Sequence, residues 1–410
     1  MLHESAMDCR RGYGRLACLL WSCALLVTLV RAGIRPDKNN CFVDHYRPAG
    51  LNWLHGSDLY KTQADTCRYS PFVHVLLVPF SLPDERWGTI LWRLVSDLAF
   101  VGALFWWVHA VCPRDLSSAH RGIILLLALP LSIGSLNNGQ ANVLMMAGIL
   151  AGMAAIAEKR WNIAAIALGL ACFLKLYPIA LVLLAIVVHP KKLIPRILLV
   201  CAAGMVLPFA FQDPAYVVQQ YRHWFSNLVV DDRSAWDLSE AYRDAWLLIR
   251  ITGLPIDIST YRVLQVVTGG MLGLICWWMA RNGDEQHDLL NRVLALGCCW
   301  MTAFGPATES PTYILLSAPL AWLLVETWRG ALPEWTRTPL LLSAVMLCGT
   351  VIAVAFPFGR DALAMGPQPL AALLILATVG VLCLNVPNRT VDADSHAPAF
   401  DLSVVREKAA

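Results

Sequence analysis

Arg35–Tyr69, RPDKNNCFVDHYRPAGLNWLHGSDLYKTQADTCRY, is the first long polar stretch in a chain that is otherwise mostly apolar. A hydrophobic run at Leu16–Val30 precedes it, and a series of hydrophobic runs follows it. Its charged residues are Asp37, Asp44, Asp58, Asp65, Arg35, Lys38, Arg47, Lys61 and Arg68. Because charged groups are costly inside a bilayer, this first polar stretch is predicted to lie on a membrane surface between helices.

The composition of the whole chain indicates a polytopic membrane protein rather than a soluble one. Its 410 residues are 57% hydrophobic and only 15% charged, with a mean hydropathy of +0.55, whereas soluble domains carry about 25% charged residues. Many of the 16 Trp residues lie near the ends of apolar runs, as in an interfacial aromatic belt. The formal net charge of +3 is too small to indicate a nucleic-acid partner.

The apolar runs predict an all-α bundle of about 12 transmembrane helices with a long first extracytoplasmic loop, because a helix crosses the bilayer in about 20 residues. The predicted spans are near 15–33, 88–111, 122–136, 140–157, 162–176, 178–190, 196–212, 260–281, 287–305, 311–327, 339–356 and 367–386. Pro71–Pro83 is too short for a span, and we expect it to be re-entrant or interfacial. Residues 1–386 then form one membrane domain, and the polar tail 387–410 is expected to be cytoplasmic and disordered.

The distribution of Lys and Arg predicts the orientation of this bundle. With a cytoplasmic N-terminus, the inner loops carry Arg114, Arg121, Lys159, Arg160, Lys191, Lys192, Arg329 and Arg337. The short outer turns at 137–139, 177 and 306–310 carry none. The first polar stretch then lies on the extracytoplasmic side, together with the loop at 213–259. If Pro71–Pro83 crossed fully, every later loop would change sides.

Asp44, in CFVDHYRPA, is the first candidate for chemistry. Its carboxylate can accept a proton from a hydroxyl group that attacks a sugar. One carboxylate is sufficient where the leaving group is a phosphate, whereas a glycosidase needs two. The alternative is a solvated loop acid.

Polar side chains also interrupt the apolar sequence at three predicted outer turns. Burying polar groups at membrane depth costs free energy, so such residues tend to mark a functional site. In Leu136–Val143, LNNGQANV, Gln140 and Asn142 fit sugar binding, and the two other Asn residues fit helix capping better. Lys175, in LKLYP, can hold a phosphate or extend to the interface. Glu309, in FGPATESPTY, can bind a sugar hydroxyl, orient Lys175 or Arg47, or cap the helix after Pro311.

The loop at 213–259 combines Arg and Trp side chains, which suit a phosphate and a sugar face or an interfacial amphipathic segment. They are Arg222, Trp224, Arg233, Trp236, Arg243 and Trp246, and Ser239–Arg250 favours a short helix. His45, His55, His74 and His223 lack a metal-ligand spacing, so no metal and no cofactor is expected. Cys41 and Cys67 can form a disulfide if the first polar stretch faces an oxidising space.

Four segments together resemble glycosyltransferase family 87, within the GT-C fold of lipid-phosphate-sugar-dependent transferases. They are DHYRPAGLNWLHGSDLY with RYSPF, NNGQANVLMMAGILAGMAA, LGLACFLKLYPIALVLL and FGPATESPTYILL, which cover roughly residues 40–190 and 300–326. Gly-Gln-x-Asn followed by Lys-x-x-Pro is the most specific element.

The resemblance implies a GT-C-like bundle that transfers a hexose, typically mannose, from polyprenyl phosphate to a glycan or glycolipid with inversion. It places the base on Asp44, although Phe42 stands where relatives carry the acid, so Asp37 and Asp58 remain alternatives. The implied donor-phosphate ligands are Lys175, Arg47 and Arg222. The implied substrate contacts are Tyr46, Asp58, Tyr60, Asn138, Gln140, Asn142, Tyr177, Thr308, Glu309 and Tyr313.

Two other functions fit an apolar chain of this kind. A transporter or flippase of lipid-linked sugars predicts inverted repeats and ionisable residues at mid-membrane, whereas the polar residues here cluster at one predicted face. A non-catalytic scaffold leaves that one-sided clustering unexplained.

Overall fold

The computed structural model describes residues 2–38, 40–60, 68–230, 234–306 and 308–385, and every regular element in these ranges is helical. The predicted all-α class is thus confirmed for the described residues. Their α-helices are α1 (Leu2–Ile34), α2 (Arg47–Leu54), α3 (Pro71–Ser81), α4 (Glu85–Ala110), α5 (Ser118–Asn138), α6 (Asn142–Ala157), α7 (Trp161–Leu174), α8 (Ile179–Val188), α9 (Pro190–Val206), α10 (Pro214–Val230), α11 (Ala245–Thr252), α12 (Ile258–Arg281), α13 (Gln286–Ala303), α14 (Ser317–Trp328), α15 (Arg337–Ala353), α16 (Gly359–Ala364) and α17 (Pro367–Leu384). A π-helix occupies Phe42–Tyr46, and 3-10 helices occupy Leu207–Ala210, Ser310–Leu316 and Glu334–Thr336.

Seven helical segments of the described residues are long and apolar enough to cross a membrane, as a multi-pass protein requires. They are Gly12–Ile34, Glu85–Ala110, Ser118–Asn138, Pro190–Ala210, Ile258–Arg281, Glu334–Ala353 and Gly359–Leu384. The remaining predicted spans coincide with shorter helices, such as α7 with 14 residues and α8 with 10. A straight crossing takes about 20 residues. The predicted total of about 12 spans therefore remains a prediction.

The helices α1 and α5 run parallel, with their backbones close together at one end. A Cβ atom added to Gly122 would lie 2.7 Å from the backbone nitrogen of Gly14, so no larger residue fits there without a shift. Farther along, Trp21 Nε1 donates to Leu125 O over 2.9 Å. Small residues allow such close packing of membrane helices. Because the two helices run side by side in the same direction, both finish at the same end of the bundle.

That end, which we call the Gln140 end, gathers the C-terminal ends of α1, α5 and α7 and the N-terminal ends of α4, α6 and α8. Trp92 Nε1 of α4 donates to Gly139 O, just after α5, over 2.8 Å. The hydroxyl of Tyr177, just before α8, donates to Asn142 Oδ1 at the start of α6 over 3.2 Å. The predicted outer turns after α5 and α7 therefore lie together.

The opposite end, which we call the Arg329 end, carries the Lys and Arg residues of the predicted cytoplasmic turns. Trp106 Nε1 of α4 donates to Glu158 Oε1 after α6 over 2.9 Å. Arg329 Nη1 lies 2.5 Å from Asp115 Oδ2. A polar cavity of about 400 Å³, lined by Asp115, Glu326 and Arg329 among others, lies at this end. The charged groups here thus form a cluster separate from the Gln140 end.

The chain between α1 and α4 leaves and returns at the Gln140 end. Arg31, in the last turn of α1, donates to Asn137 Oδ1 in the last turn of α5. Trp92, near the start of α4, contacts the turn that follows α5. Between them, α3 has only 11 residues and contains Pro79, so it extends about 16 Å. The structure agrees with the interpretation that Pro71–Pro83 does not cross the bundle.

The two long polar segments contain helices that pack on each other, where sequence analysis predicted long loops. The first polar stretch holds the π-helix and α2, and the loop at 213–259 holds α10 and α11. Trp53, Leu59 and Tyr60 of the first are buried against Val217, Tyr221 and Trp224 of the second in a cluster separate from the main core. Long hydropathy windows miss such short amphipathic helices because polar neighbours dilute their few apolar residues.

The short helix predicted at Ser239–Arg250 is present as α11, shifted towards the C-terminus. Asp244 sets its start because the carboxylate accepts a hydrogen bond from Leu247 N over 3.3 Å, as N-cap residues do. The predicted pairing of Cys41 with Cys67, the role of Arg233 and the predicted tail fall on or depend on residues outside the described ranges.

Candidate active site

The π-helix presents Asp44 beside two buried aromatic side chains. Phe42 and Tyr46 are buried, whereas Asp44 and His45 are exposed. Tyr46 is held in place because its hydroxyl accepts a hydrogen bond from Ala141 N over 2.9 Å. π-helical turns are rare and are often found at functional sites. The packed aromatic face therefore holds the segment, and the carboxylate of Asp44 stays accessible.

Four predicted site residues from four separate segments converge on Cys41. The side chain of Gln140 hydrogen-bonds the Cys41 thiol, and Glu309, Lys175 and Asp44 act on that thiol electrostatically. Burial is the main reason that the pKa of Cys41 rises to about 11, so the thiol is neutral at physiological pH. The structure thus brings together side chains separated by more than 260 positions, from 44 to 309.

A continuous line of hydrogen bonds runs from the interior to the surface beside this thiol. Tyr177 donates to Asn142 Oδ1 over 3.2 Å, and Asn142 Nδ2 donates to Gln140 Oε1 over 2.7 Å. Gln140 Nε2 lies 3.4 Å from Glu309 Oε2 as a long hydrogen bond. Asn142 is fully buried and Glu309 is exposed. At the outer end of this line, Gln140 and Glu309 offer sugar hydroxyls a donor and an acceptor. The buried Asn142 has both amide atoms engaged and orients Gln140.

Lys175 lies in the break between α7 and α8, where the backbone is extended. Its Nζ lies 5.7 Å from the centre of the Tyr177 ring, and it interacts electrostatically with Glu309 and Arg68. Arg68 lies over the ring of Tyr242, with Cζ 5.4 Å from its centre. Sequence analysis did not assign Arg68, although it begins the RYSPF motif. Two cations, Lys175 and Arg68, therefore lie near the site carboxylates.

The two predicted arginine ligands occupy different surroundings. Arg47 begins α2, directly after the π-helix that carries Asp44. Its Nε is buried and has no hydrogen-bond partner among the described residues. Arg222 is exposed on α10, and Arg68 rather than Arg222 acts electrostatically on Lys175. Of the two, only Arg47 thus belongs to the segment that carries the candidate base.

The residues predicted around Glu309 are largely engaged with the backbone. The hydroxyl of Thr308 lies 3.1 Å from Gly305 O, to which it donates, and that of Tyr313 donates to Arg243 O over 2.7 Å. Both side chains are buried. Asn138 ends α5 with a partly exposed side chain. Thr308 and Tyr313 therefore shape the turn that carries Glu309.

Asp58 ties the first polar stretch to α10. Its Oδ2 lies 2.9 Å from His223 Nδ1, and its Oδ1 accepts a hydrogen bond from Tyr60 N over 3.0 Å. Tyr60 in turn donates from its hydroxyl to Tyr69 O over 2.8 Å. These contacts fix the chain from Asp58 to Tyr60.

We expect Asp58→Asn to lower stability more than turnover. Loss of the charge contact to His223 should cost about 1 kcal/mol, which lowers Tm by about 1–2 °C in a chain of this length. Turnover per folded molecule should stay within about threefold of wild type. His223→Gln is the matched control and should give a similar fall in Tm. If Asp58→Asn instead lost turnover at an unchanged Tm, Asp58 would replace Asp44 as the candidate base.

In the described part of the chain, no group of three or more His, Cys, Asp or Glu residues is arranged to hold a metal ion.

A family model named glycosyltransferase family 87 matches residues 68–306, more than half of the chain. The chain belongs to glycosyltransferase family 87. The resemblance seen in the sequence is thus confirmed. The matched range of this family 87 glycosyltransferase includes Gln140 and Lys175, but it begins after Asp44 and ends before Glu309. No curated protein and no solved structure matches the chain.

Membership of family 87 implies a sugar donor and an acceptor, and the seven apolar helices imply a lipid bilayer around the glycosyltransferase. The convergence on Cys41 combines an exposed carboxylate, paired amides and a lysine at one end of those helices. This set of groups suits a transfer in which a hydroxyl loses a proton and an anion leaves.

Proposed function

We propose that this family 87 glycosyltransferase moves a hexose, with mannose as the expected sugar, from a polyprenyl-phosphate donor to a glycan or glycolipid. The transfer takes place at the extracytoplasmic face of the cell membrane and inverts the anomeric carbon. The observation that carries the proposal is the cluster at the Gln140 end. Gln140 hydrogen-bonds Glu309, and these two side chains act on the Cys41 thiol together with Lys175 and Asp44.

In the proposed reaction the acceptor hydroxyl attacks the anomeric carbon from the face opposite the phosphate. The bond from that carbon to the phosphate oxygen breaks, and its electron pair leaves with polyprenyl phosphate. Asp44 takes the hydroxyl proton as the new bond forms. The phosphate needs no proton to leave, so one carboxylate is sufficient. A single displacement inverts the anomeric carbon.

Cations supply the main electrostatic stabilisation in this scheme, because negative charge grows on the departing phosphate. Lys175 lies in the break between two apolar helices and interacts electrostatically with Arg68. Arg47 adds a guanidinium next to the π-helix. Removing one preorganised charge of this kind typically costs about 10²–10³-fold in rate. The amide of Gln140 holds a sugar hydroxyl, and the buried Asn142 orients that amide through their hydrogen bond.

The test is a transfer assay on purified protein reconstituted in vesicles with radiolabelled polyprenyl-phosphate mannose and extracted lipids and glycans. We expect labelled acceptor with inverted anomeric configuration, and no product from nucleotide-linked mannose. Polyprenyl-phosphate glucose tests the choice of sugar. Product from the nucleotide sugar, or a retained configuration, would overturn the proposal. Passage of labelled donor across the vesicle without product would favour the flippase alternative.

A further inference from the structure

A buried guanidinium closes the C-terminal end of α5, just before the turn that carries Gln140. Arg93 of α4 is 2% exposed. Its Nη1 donates to the carbonyl oxygens of Leu136 and Asn137, each over 2.7 Å. The last carbonyls of a helix lack partners within the helix, so a cation there completes their hydrogen bonding and favours the negative end of the helix dipole. Arg93 thus fixes where α5 ends.

The other terminal nitrogen of Arg93 reaches the segment that carries Asp44. Arg93 Nη2 lies 3.4 Å from the side-chain oxygen of Asn40, a long hydrogen bond. Asn40 O accepts from Asp44 N over 3.1 Å, and Asn40 Oδ1 accepts from Phe42 N over 3.2 Å. Asn40 is itself buried and donates to Thr89 of α4 over 3.1 Å. The start of the π-helix is therefore held by α4.

The turn after α5 is fixed from the same helix by a second side chain. Trp92 Nε1 donates to Gly139 O over 2.8 Å. Gly139 has φ 61°, a left-handed conformation, and a Cβ added there would lie 3.1 Å from Arg93 Cζ. A glycine is therefore required both by the backbone conformation and by the packing against Arg93. Gln140 follows directly, so α4 determines where its amide lies.

The charge of Arg93 has a partner that does not belong to the candidate site. Asp97 follows one turn later on α4, is 1% exposed and acts electrostatically on Arg93. A buried guanidinium without a counter-charge is strongly destabilising. Asp97 offsets part of this charge electrostatically without taking a hydrogen bond, so the hydrogen bonds of Arg93 go to Leu136, Asn137 and Asn40.

We propose that Arg93 is a positioning residue that sets the separation between the carboxylate of Asp44 and the amide of Gln140. One planar guanidinium contacts both the carbonyl oxygens that end α5 and the side chain of Asn40, whereas the ammonium of a lysine lacks this forked geometry. Displacement of a reacting group by about 1 Å can cost about 10²-fold in rate. This inference rests on the proposed role of Asp44, which a separate substitution tests.

The test compares Arg93→Lys and Asn40→Ala with wild type in the reconstituted transfer assay. We expect kcat to fall about 30–100-fold in Arg93→Lys, with the donor KM within about threefold of wild type. Asn40→Ala should lower kcat in the same direction without removing a buried charge. Their double variant should lose less than the product of the single losses, because both break one link. Ser96→Ala, a buried change on α4, is the control and should keep its kcat.

The outcomes separate this inference from the proposed function. If Asp44→Asn kept its turnover, the proposed base would fail whatever Arg93 does. If Asp44→Asn were inactive while Arg93→Lys kept its kcat, the positioning role alone would fail. A fall in folded protein with wild-type kcat in the remainder, or a rise in donor KM alone, would equally overturn the positioning role.

Discussion

Asp44→Asn is expected to lower transfer by about 10²–10⁴-fold, the usual contribution of a general base. The amide has nearly the same shape as the carboxylate but cannot take the proton of the acceptor hydroxyl. The side chain is exposed, so the substitution leaves the packed face of the π-helix unchanged. Donor binding should therefore stay within about threefold of wild type, while kcat falls. Initial rates with labelled donor and a separate donor-binding titration measure the two effects.

Asp37→Asn is the matched control for this substitution. Asp37 is an exposed acid of the same first polar stretch, and the same chemical change there should leave kcat within about twofold. If Asp37→Asn lost transfer and Asp44→Asn did not, the base would have to be reassigned to Asp37. Equal losses of donor binding and kcat in Asp44→Asn would instead place Asp44 in donor binding.

Lys175→Met is expected to lower kcat/KM for the donor by about 10²–10³-fold, because it removes a preorganised charge from the departing phosphate. Lys175→Arg keeps the charge and should recover a large part of that loss. Methionine is unbranched and fills a similar volume, so we expect the helix break to be retained. Steady-state rates over a range of donor concentrations separate a loss of donor binding from a loss of kcat.

The control for Lys175 is Lys191→Met. Lys191 is an exposed lysine at the start of α9, at the Arg329 end of the bundle. Its replacement should change kcat/KM by less than about twofold. A similar loss in both variants would show that the effect comes from general charge at the membrane surface, and it would remove Lys175 from the site.

The arrangement of polar residues at one face was predictable from the sequence because of two patterns. Hydropathy located the helices, and the absence of Lys and Arg in alternate turns grouped Gln140, Lys175 and Glu309 with the first polar stretch. The number of spans could not be predicted where a helix is broken. Pro178 and the residues around Lys175 interrupt an apolar run, so composition alone does not tell whether the two halves span together or separately.

The hydrogen-bond and charge partners of individual polar residues could not be predicted from the sequence. Arg68 and Arg222 both lie in polar, aromatic-rich segments of the sequence. Only the folded structure shows that Arg68, and not Arg222, interacts electrostatically with Lys175. Asp58 is an acid in the first polar stretch and was therefore a candidate site residue, yet its contacts are to His223 and to Tyr60 N. Arg93 lies inside a predicted span, and the sequence does not indicate its role, because its acceptors are the backbone carbonyls of Leu136 and Asn137.

The shortness of α7 and α8 determines how a lipid can reach Lys175. At 1.5 Å per residue their 14 and 10 residues measure about 21 and about 15 Å, against a hydrocarbon layer of about 30 Å. Their far ends are bordered by Lys159, Arg160 and Lys191, which stay at the opposite boundary. Either the bilayer thins around this pair of helices or Lys175 sits below the general headgroup level. In the proposed reaction, either arrangement would let a prenyl-linked phosphate approach the lysine from within the leaflet, while its chain stays in the hydrocarbon layer.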